Sequence, residues 1–318
     1  MYFDHWVFET PREVPVKRYK RLYSFLPVVM FLLLISACGT PIGTGSSLTP
    51  VQVLQNSSHA MRQLKSAHFA LNVTSNLLTN AAGILSATPA AGQVNVTIMG
   101  SGDENLPDQQ SLKITIGQNV IGRNINLSEI LLKNKVYIQN PLGQWYVLDK
   151  TALEKAIGNS FAGINIDPLG LLDLLQNANL IDHGTESLNG QQLRHISADL
   201  DKVGLKLLLT SNSQLSKLFG KQNINNAIDH AKTFQASIDL WIDETNFYIH
   251  RAELKFDLTE DLSSLGNQVT PTPSLISSLT THFDSITDLS NFNQPVTITP
   301  PANAIPTDNP INIFGLGR

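Results

Sequence analysis

Length, composition and charge limit what this chain can be. It has 318 residues, with 22 basic and 26 acidic side chains and a net charge of −4. A weakly acidic protein lacks the basic surface that nucleic-acid binding requires, so no nucleic-acid partner is predicted. The single cysteine excludes an intramolecular disulfide and a cysteine-based metal site, so stability has to come from a hydrophobic core.

The first 37 residues combine a basic cluster with an apolar run. Lys17, Arg18, Lys20 and Arg21 precede the apolar run at residues 25–35. A run of this length is typical of a secretory signal peptide, whereas a membrane-spanning helix needs about 20 apolar residues. The sequence therefore predicts a signal peptide at residues 1–37, with a transmembrane anchor as the alternative.

The only cysteine, Cys38, directly follows the small residues Ser36 and Ala37. Residues 34–38, Leu-Ile-Ser-Ala-Cys, resemble the bacterial lipobox. This resemblance implies cleavage before Cys38 and attachment of fatty-acyl groups such as palmitate, carried as a diacylglycerol, to its thiol. Residues 38–50 are rich in Gly, Ser, Thr and Pro, which predicts a flexible tether rather than a core around a buried thiol. We expect the protein to be held at the extracytoplasmic face of the cell membrane by this lipid anchor.

The first half of the folded part begins with a helix and continues in strands. Thr49 and Pro50 suit the cap and first turn of a helix that runs to residue 65. Phe69, Leu71 and Val73 alternate with polar residues, as in a half-buried strand. Further strands are predicted at residues 94–100, 112–116, 120–127, 129–132, 135–139 and 145–148.

The second half begins with helices and returns to strands. Asp167 and Pro168 open a strongly apolar helix that contains Leu171 and Leu175. The dipeptide Asn189-Gly190 predicts a two-residue hairpin turn. Helices are predicted at residues 151–161, 169–176, 202–209 and 212–230, and strands at 184–188, 192–198, 234–242, 247–258, 282–289 and 296–298.

This order of elements favours the α+β class. Strands do not alternate with helices one by one, so a parallel sheet is excluded. We expect a strongly curved antiparallel sheet, an open half-barrel, wrapped around helices. One domain is predicted at residues 51–301, followed by a loose tail at 302–318.

Several short motifs resemble one known family in their order and spacing. They occur at residues 60–69, 143–146, 167–172, 184–196, 241–243 and 291–298. Together they resemble the LppX/LprG-type bacterial lipoproteins over about residues 52–301. The resemblance implies an apolar cavity between sheet and helices that binds a lipid or acylated glycolipid for transport in the cell envelope. It also implies a membrane transporter as a candidate partner, and it supplies no catalytic residue.

The apolar faces of the strands and of the Pro168 helix are the candidate walls of this cavity. Burying acyl chains is worth about 0.8 kcal/mol per CH₂, so such a site needs no polar motif. The candidate lining residues are Phe69, Leu71, Val73, Leu171, Leu175, Ile238, Leu240, Leu254 and Phe256. The alternative is that they form a solid core, in an envelope scaffold that binds a protein partner.

Motifs of known enzymes are missing from the sequence. It contains no Gly-x-Ser-x-Gly elbow, no His-Glu-x-x-His helix and no phosphate-binding loop. We therefore predict no catalytic residue, no cofactor and no metal site, and a protein that is not an enzyme.

Overall fold

Twelve strands form one sheet in the part of the chain that the computed structural model describes. The described residues are 47–81, 92–119, 122–157, 168–175, 178–211, 221–261, 276–309 and 313, and they belong to the compact unit Gly45–Arg318. The strands are β1 (Ser66–Ala81), β2 (Gln93–Asn105), β3 (Gln109–Gln118), β4 (Arg123–Leu132), β5 (Lys135–Gln139), β6 (Trp145–Asp149), β7 (Leu180–Leu188), β8 (Gln191–Asp199), β9 (Ala231–Ile242), β10 (Ile249–Asp261), β11 (Ile276–Ser290) and β12 (Ile305–Pro306).

The strand order across the sheet is β12-β6-β5-β4-β3-β2-β1-β11-β10-β9-β8-β7. Every neighbouring pair is antiparallel except β12 with β6, which is parallel. The two edges, β12 and β7, are at opposite ends of the order, so the sheet is open. The predicted α+β class with an open antiparallel half-barrel is confirmed.

Five helices accompany the sheet among the described residues. They are α1 (Pro50–Arg62), α2 (Lys150–Ile157), α3 (Pro168–Leu175), α4 (Lys202–Ser211) and α5 (Lys221–Asp229). The start of α1 is a capping box, because Thr49 Oγ1 accepts from the backbone N–H of Gln52 while the Gln52 side chain accepts from the backbone N–H of Thr49. Pro50 follows at the first helical position, as the sequence predicts.

One hydrophobic cluster joins the helices to one face of the sheet, which we call the inner face. Helices α1, α3, α4 and α5 contribute aliphatic residues such as Leu54, Leu172 and Leu205. The alternating residues of β1, β3 and β8 to β11 meet them from the sheet. Alternation places every second residue of a strand on the same face, so most inward-facing apolar residues of these strands enter this cluster.

A second, smaller cluster lies beneath the β5–β6 end of the sheet. Val136, Ile138 and Leu148 pack there against Leu153 of α2 and against Ile313. Residues beyond 301 therefore take part in the fold, both through Ile313 and through β12, where the sequence predicts a loose tail. This segment shows no alternation of apolar and polar residues, so its sequence does not predict that it pairs with β6. The predicted strand at 296–298 is wrong, because these residues have no strand conformation.

Several strands are longer than predicted, and the register shifts at four places in the described ladders. β1 extends to Ala81 and β11 begins at Ile276, because both continue their ladder with each other through polar residues. In β10 the register shifts between Ile249 and Arg251, so Ile249 is buried in the core and Arg251 is opposite Trp241. Residues 82–91 between β1 and β2 and residues 262–275 between β10 and β11 lie outside the described residues, as does the predicted signal peptide at 1–37.

Phe69 reaches the core across a strand position that has no side chain. Gly102 of β2 is opposite Phe69 of β1 and opposite Leu112 of β3. A Cβ at Gly102 would lie 1.9 Å from the carbonyl oxygen of Ser111 and 2.8 Å from Cζ of Phe69. Glycine at this position is therefore a packing requirement of the central strands.

We expect Gly102→Ala to lower the free energy of unfolding by about 1–3 kcal/mol, because the added methyl overpacks a closed site. Urea denaturation measures this. Gly100→Ala is the matched control on the same strand and face, since its Cβ would lie 3.3 Å from the Lys113 carbonyl oxygen. Equal losses in the two variants would contradict the packing argument.

Candidate functional site

The predicted lining residues lie on the inner face and on α3. Phe69, Leu171, Leu175, Ile238, Leu240 and Leu254 belong to the main hydrophobic cluster, and Phe256 packs against it. Leu71 and Val73 are buried beside them on β1. The structure thus brings the predicted set to one region. Their role as walls of a cavity stays a prediction.

Burial is uneven along the inner face. The row Leu240, Ala252, Thr287 and Leu71, joined by cross-strand pairing, is buried. Two rows further along, Phe256 is opposite Phe283, and both rings are only half-buried, although Ala236 beside Phe256 is buried. The core is therefore partly open at these two rings.

This region of the inner face carries several half-buried apolar side chains. Phe256 and Phe283 stack with ring centroids 4.7 Å apart. We define the distal apolar patch as five half-buried residues that pack against the main cluster, namely Ile98, Ile116, Phe234, Phe256 and Phe283. Of these, only Phe256 is among the residues predicted from the sequence. The others alternate correctly in their strands, but alternation does not reveal which end of a strand is covered by helices.

A buried hydroxyl lies among the predicted lining residues. Ser285 on β11 is opposite Val73 on one side and Leu254 on the other, and it is 1% exposed. Its Oγ has no hydrogen-bond partner among the described residues. Buried polar atoms in native proteins are nearly always paired, so this hydroxyl stands out in an otherwise apolar wall.

The opposite end of the sheet carries a surface groove of about 650 Å³. The C-terminal part of α1, the β9–β10 turn and Asn293 line it, with His59, Gln63, Lys65 and Tyr248 among the lining residues. Asn293 donates from Nδ2 to the Tyr248 hydroxyl at 2.7 Å and accepts from the Lys65 backbone N–H at 2.8 Å. The lining combines polar groups with the rings of Phe247 and Tyr248 and thus differs from the distal part of the inner face.

Asp243 organises the turn that borders this groove. Its carboxylate accepts from the backbone N–H groups of Thr245, Asn246 and Tyr248. Partial burial by itself raises the pKa of Asp243. The hydrogen bond from His250 and those from the three backbone N–H groups outweigh burial, so its pKa is below the ordinary value.

No helix in the described ranges is long and apolar enough to cross a membrane. Cys38, the predicted lipidation site, lies outside the described residues. Its modification and the tether behind it therefore stay predictions.

Comparisons with known proteins identify weak structural likenesses. No protein-family model matches the chain, and no curated protein matches it. The crystal structure of lipoprotein LppX from Mycobacterium tuberculosis is 14% identical, with a TM-score of 0.38 over 78% of this chain and 97% of that chain. LprF from Mycobacterium bovis is 14% identical, with a TM-score of 0.39 over 81% of this chain and 100% of that chain. Both are of the lipoprotein type that the motif order resembles. Superpositions of this quality carry no conclusion about ligand or activity.

We expect Asp243→Asn to lower the free energy of unfolding at pH 7 by about 1 kcal/mol, because it removes charge from three accepted hydrogen bonds. A lowered pKa in the folded state means that this stability exists above the unfolded pKa and is lost as the pH falls through the folded pKa. The difference from wild type should therefore shrink below about pH 4.

Urea denaturation at several pH values measures this difference. Asp199→Asn, at an exposed carboxylate on β8, is the control and should have little effect at any pH. A deficit of Asp243→Asn that stays constant down to pH 2 would contradict the role assigned to its charge.

Proposed function

We propose that this protein is a membrane-anchored lipoprotein that binds a lipid or acylated glycolipid on the inner face and carries it within the cell envelope. The observation that carries the proposal is the inner face itself. It is an apolar surface that is largely buried, half-open at the distal apolar patch, and interrupted by the unpaired hydroxyl of Ser285. In this proposal the protein is a carrier that catalyses no reaction.

The energetics of acyl chains fit such a surface. Each buried CH₂ contributes about 0.8 kcal/mol, so a chain of ordinary length is held by apolar contact alone. The stacked rings of Phe256 and Phe283 supply flat apolar area where the core is partly open. A hydroxyl or carbonyl group of the lipid would form a hydrogen bond with Ser285 Oγ. This bond would fix where the lipid lies along the strands.

The anchor places this surface near a membrane. Under the proposal, residues 1–37 are removed, Cys38 is lipidated, and residues 38–50 tether the single domain that begins near Pro50. A flexible tether of this length has a root-mean-square reach of about 20 Å. Lipid then passes between the membrane, the inner face and a membrane transporter over a short distance.

A scaffold that binds a protein partner is the second candidate. The observation that favours it is the near-complete burial of eight of the nine predicted lining residues, which is the condition of a solid core. The two functions differ in whether the distal apolar patch continues into space that a ligand can occupy. Ligand binding by variants of that patch therefore separates them.

We expect Phe283→Ser to weaken binding of a fluorescent long-chain fatty acid by about tenfold, because the loss of a half-buried ring removes on the order of 1.5 kcal/mol of apolar contact. Fluorescence titration measures the affinity. Ile286→Ser is the matched control, since Ile286 is half-buried on the outer face of the same strand. If wild-type protein binds no fatty acid, and native mass spectrometry of protein from its own membranes finds no lipid, the scaffold is the correct function.

We expect Cys38→Ala to abolish membrane retention while leaving fold and fatty-acid affinity unchanged, since the cysteine is remote in sequence from the sheet. Fractionation of cells into membrane and soluble material measures retention, and circular dichroism checks the fold. Ser36→Thr, which keeps Cys38 and a small residue before it, is the control. Because the same change removes the cleavage site, the mass of the retained chain is measured as well. Wild-type protein that keeps residues 1–37 in the membrane fraction would show that the apolar run 25–35 is a transmembrane anchor.

A further inference from the structure

The outer face of the sheet carries a cluster of ring and carboxylate side chains on three neighbouring strands. We call it the outer histidine cluster, and it consists of His183 and Glu186 on β7, His195 on β8, and Asp239 and Trp241 on β9. Nothing in the carrier function uses these residues, because they point away from the inner face. His195 and Trp241 are cross-strand neighbours in the β8–β9 register.

His195 is at the centre of the cluster. Its Nε2 lies 2.9 Å from Oδ1 of Asp239, and its Nδ1 lies 3.0 Å from Oε1 of Glu186. The contact with Asp239 is a hydrogen bond, whereas that with Glu186 is close but not aligned as one. The ring lies between Trp241, with centroids 4.3 Å apart, and His183, with centroids 4.2 Å apart. Two carboxylates and two stacked rings thus fix its position, and its side chain is only 12% exposed.

A β-bulge brings the members of β7 to one face. The register of β7 against β8 shifts between Asp182 and Gly184, so that His183 and Gly184 together are opposite His195. Gly184 has a φ of +79°, which glycine adopts without strain. Residues three apart in a regular strand point to opposite faces, but the bulge places His183 and Glu186 on the same one.

We propose that His183, His195 and Asp239 bind a divalent transition-metal ion of the zinc type. One potential ligand atom from each residue lies within 4.8 Å of the others. Metal–ligand bonds of 2.0–2.2 Å in tetrahedral geometry separate ligand atoms by roughly 3.3 Å. Completing the site therefore requires rotation of the His183 ring, which stacks on His195 and whose Nε2 is 2.7 Å from Ser197 Oγ. Two imidazole nitrogens with one carboxylate oxygen form a ligand set that suits zinc and its neighbours rather than magnesium or calcium.

Glu186 supplies the support that metal-bound histidines require. A histidine that ligates through one ring nitrogen usually donates the other N–H to a carboxylate, which fixes the ring. His195 offers Nε2 to the ion while Nδ1 faces Glu186, and Trp241 Nε1 holds Glu186 by donating to Oε2 at 3.2 Å. The unaligned Nδ1 contact becomes a proper hydrogen bond through a small rotation of the carboxylate.

The local charges also favour a cation. Glu253 is opposite Asp239 in the β9–β10 register and adds a third carboxylate to Asp239 and Glu186. Lys255 pairs with Glu253, and Arg251, whose Cζ lies 6.0 Å from the centroid of the Trp241 ring, pairs with Asp288, so the charge available to an ion comes from Asp239 and Glu186. His183 is exposed, so an ion reaches the site from solvent. Because its ligands are on β7, β8 and β9, the ion would tie the edge strand to the sheet.

Titration of zinc into metal-free, detergent-solubilised full-length protein without a polyhistidine tag tests the site. We expect saturable binding of one ion per chain by calorimetry and a higher unfolding temperature with zinc. His183→Gln and Asp239→Asn each weaken binding at least tenfold, and Glu186→Gln weakens it about 10- to 100-fold. An excess of magnesium does not compete.

His68→Gln is the matched control. His68 Nδ1 lies 2.8 Å from Asp103 Oδ1, so it is another histidine–carboxylate pair of the same sheet, outside the cluster. This variant keeps wild-type zinc affinity if the site is specific. Circular dichroism verifies that each variant is folded. If either His183→Gln or Asp239→Asn fails to fold, the other variant alone tests the site. The proposal is overturned if wild type shows no saturable one-to-one binding, or if His68→Gln loses as much affinity as the cluster variants.

Discussion

The pairing of β1 with both β2 and β11 is the constraint on which the rest of the structure depends. β1 joins the strands that follow it in sequence, β2 to β6, to the later group β7 to β11. Its ladder with β11 links residues 195 to 222 positions apart, and its ladder with β2 is nearly as long. Phe69 enters the core from this central strand, over the space that Gly102 leaves free. Without this pairing the two groups of strands would share neither a face nor a core.

Once the register is set, alternation gives each strand two chemically different faces. On β9, Ile238 and Leu240 belong to the inner cluster, whereas Asp239 and Trp241 belong to the outer histidine cluster. The same backbone therefore presents an apolar surface on one side and the ring and carboxylate side chains of the cluster on the other. A shift of one residue would exchange the faces and place Asp239 in the core, so burial of the inner face also fixes the geometry of the outer cluster.

The sequence predicts those features that short-range chemistry decides. Thr49 and Pro50 begin a helix because they satisfy its first turn, and Asn189-Gly190 forms a hairpin because both residues have positive φ, 51° and 82°. The inner residues of β1, β9 and β10 are likewise evident from alternation. Alternation does not reveal the ends of the strands, the pairing of β12 or the outer histidine cluster. These features depend on long-range register and on the bulge at Gly184. His183, His195 and Asp239 share no motif, since three strands bring them together.

The two edges of the open sheet are protected in different ways, and this difference bears on function. At one edge, β12 is only two residues long and contains Pro306, which has no N–H to offer another strand. At the other edge, β7 is bulged and carries Asp182, His183 and Glu186, which discourage pairing with a second chain. An open sheet can change the spacing between its inner face and the helices without breaking a closed ring of hydrogen bonds. A carrier that has to accept and release acyl chains needs that freedom, and an ion on β7, β8 and β9 would keep the charged edge ordered while the inner face adapts.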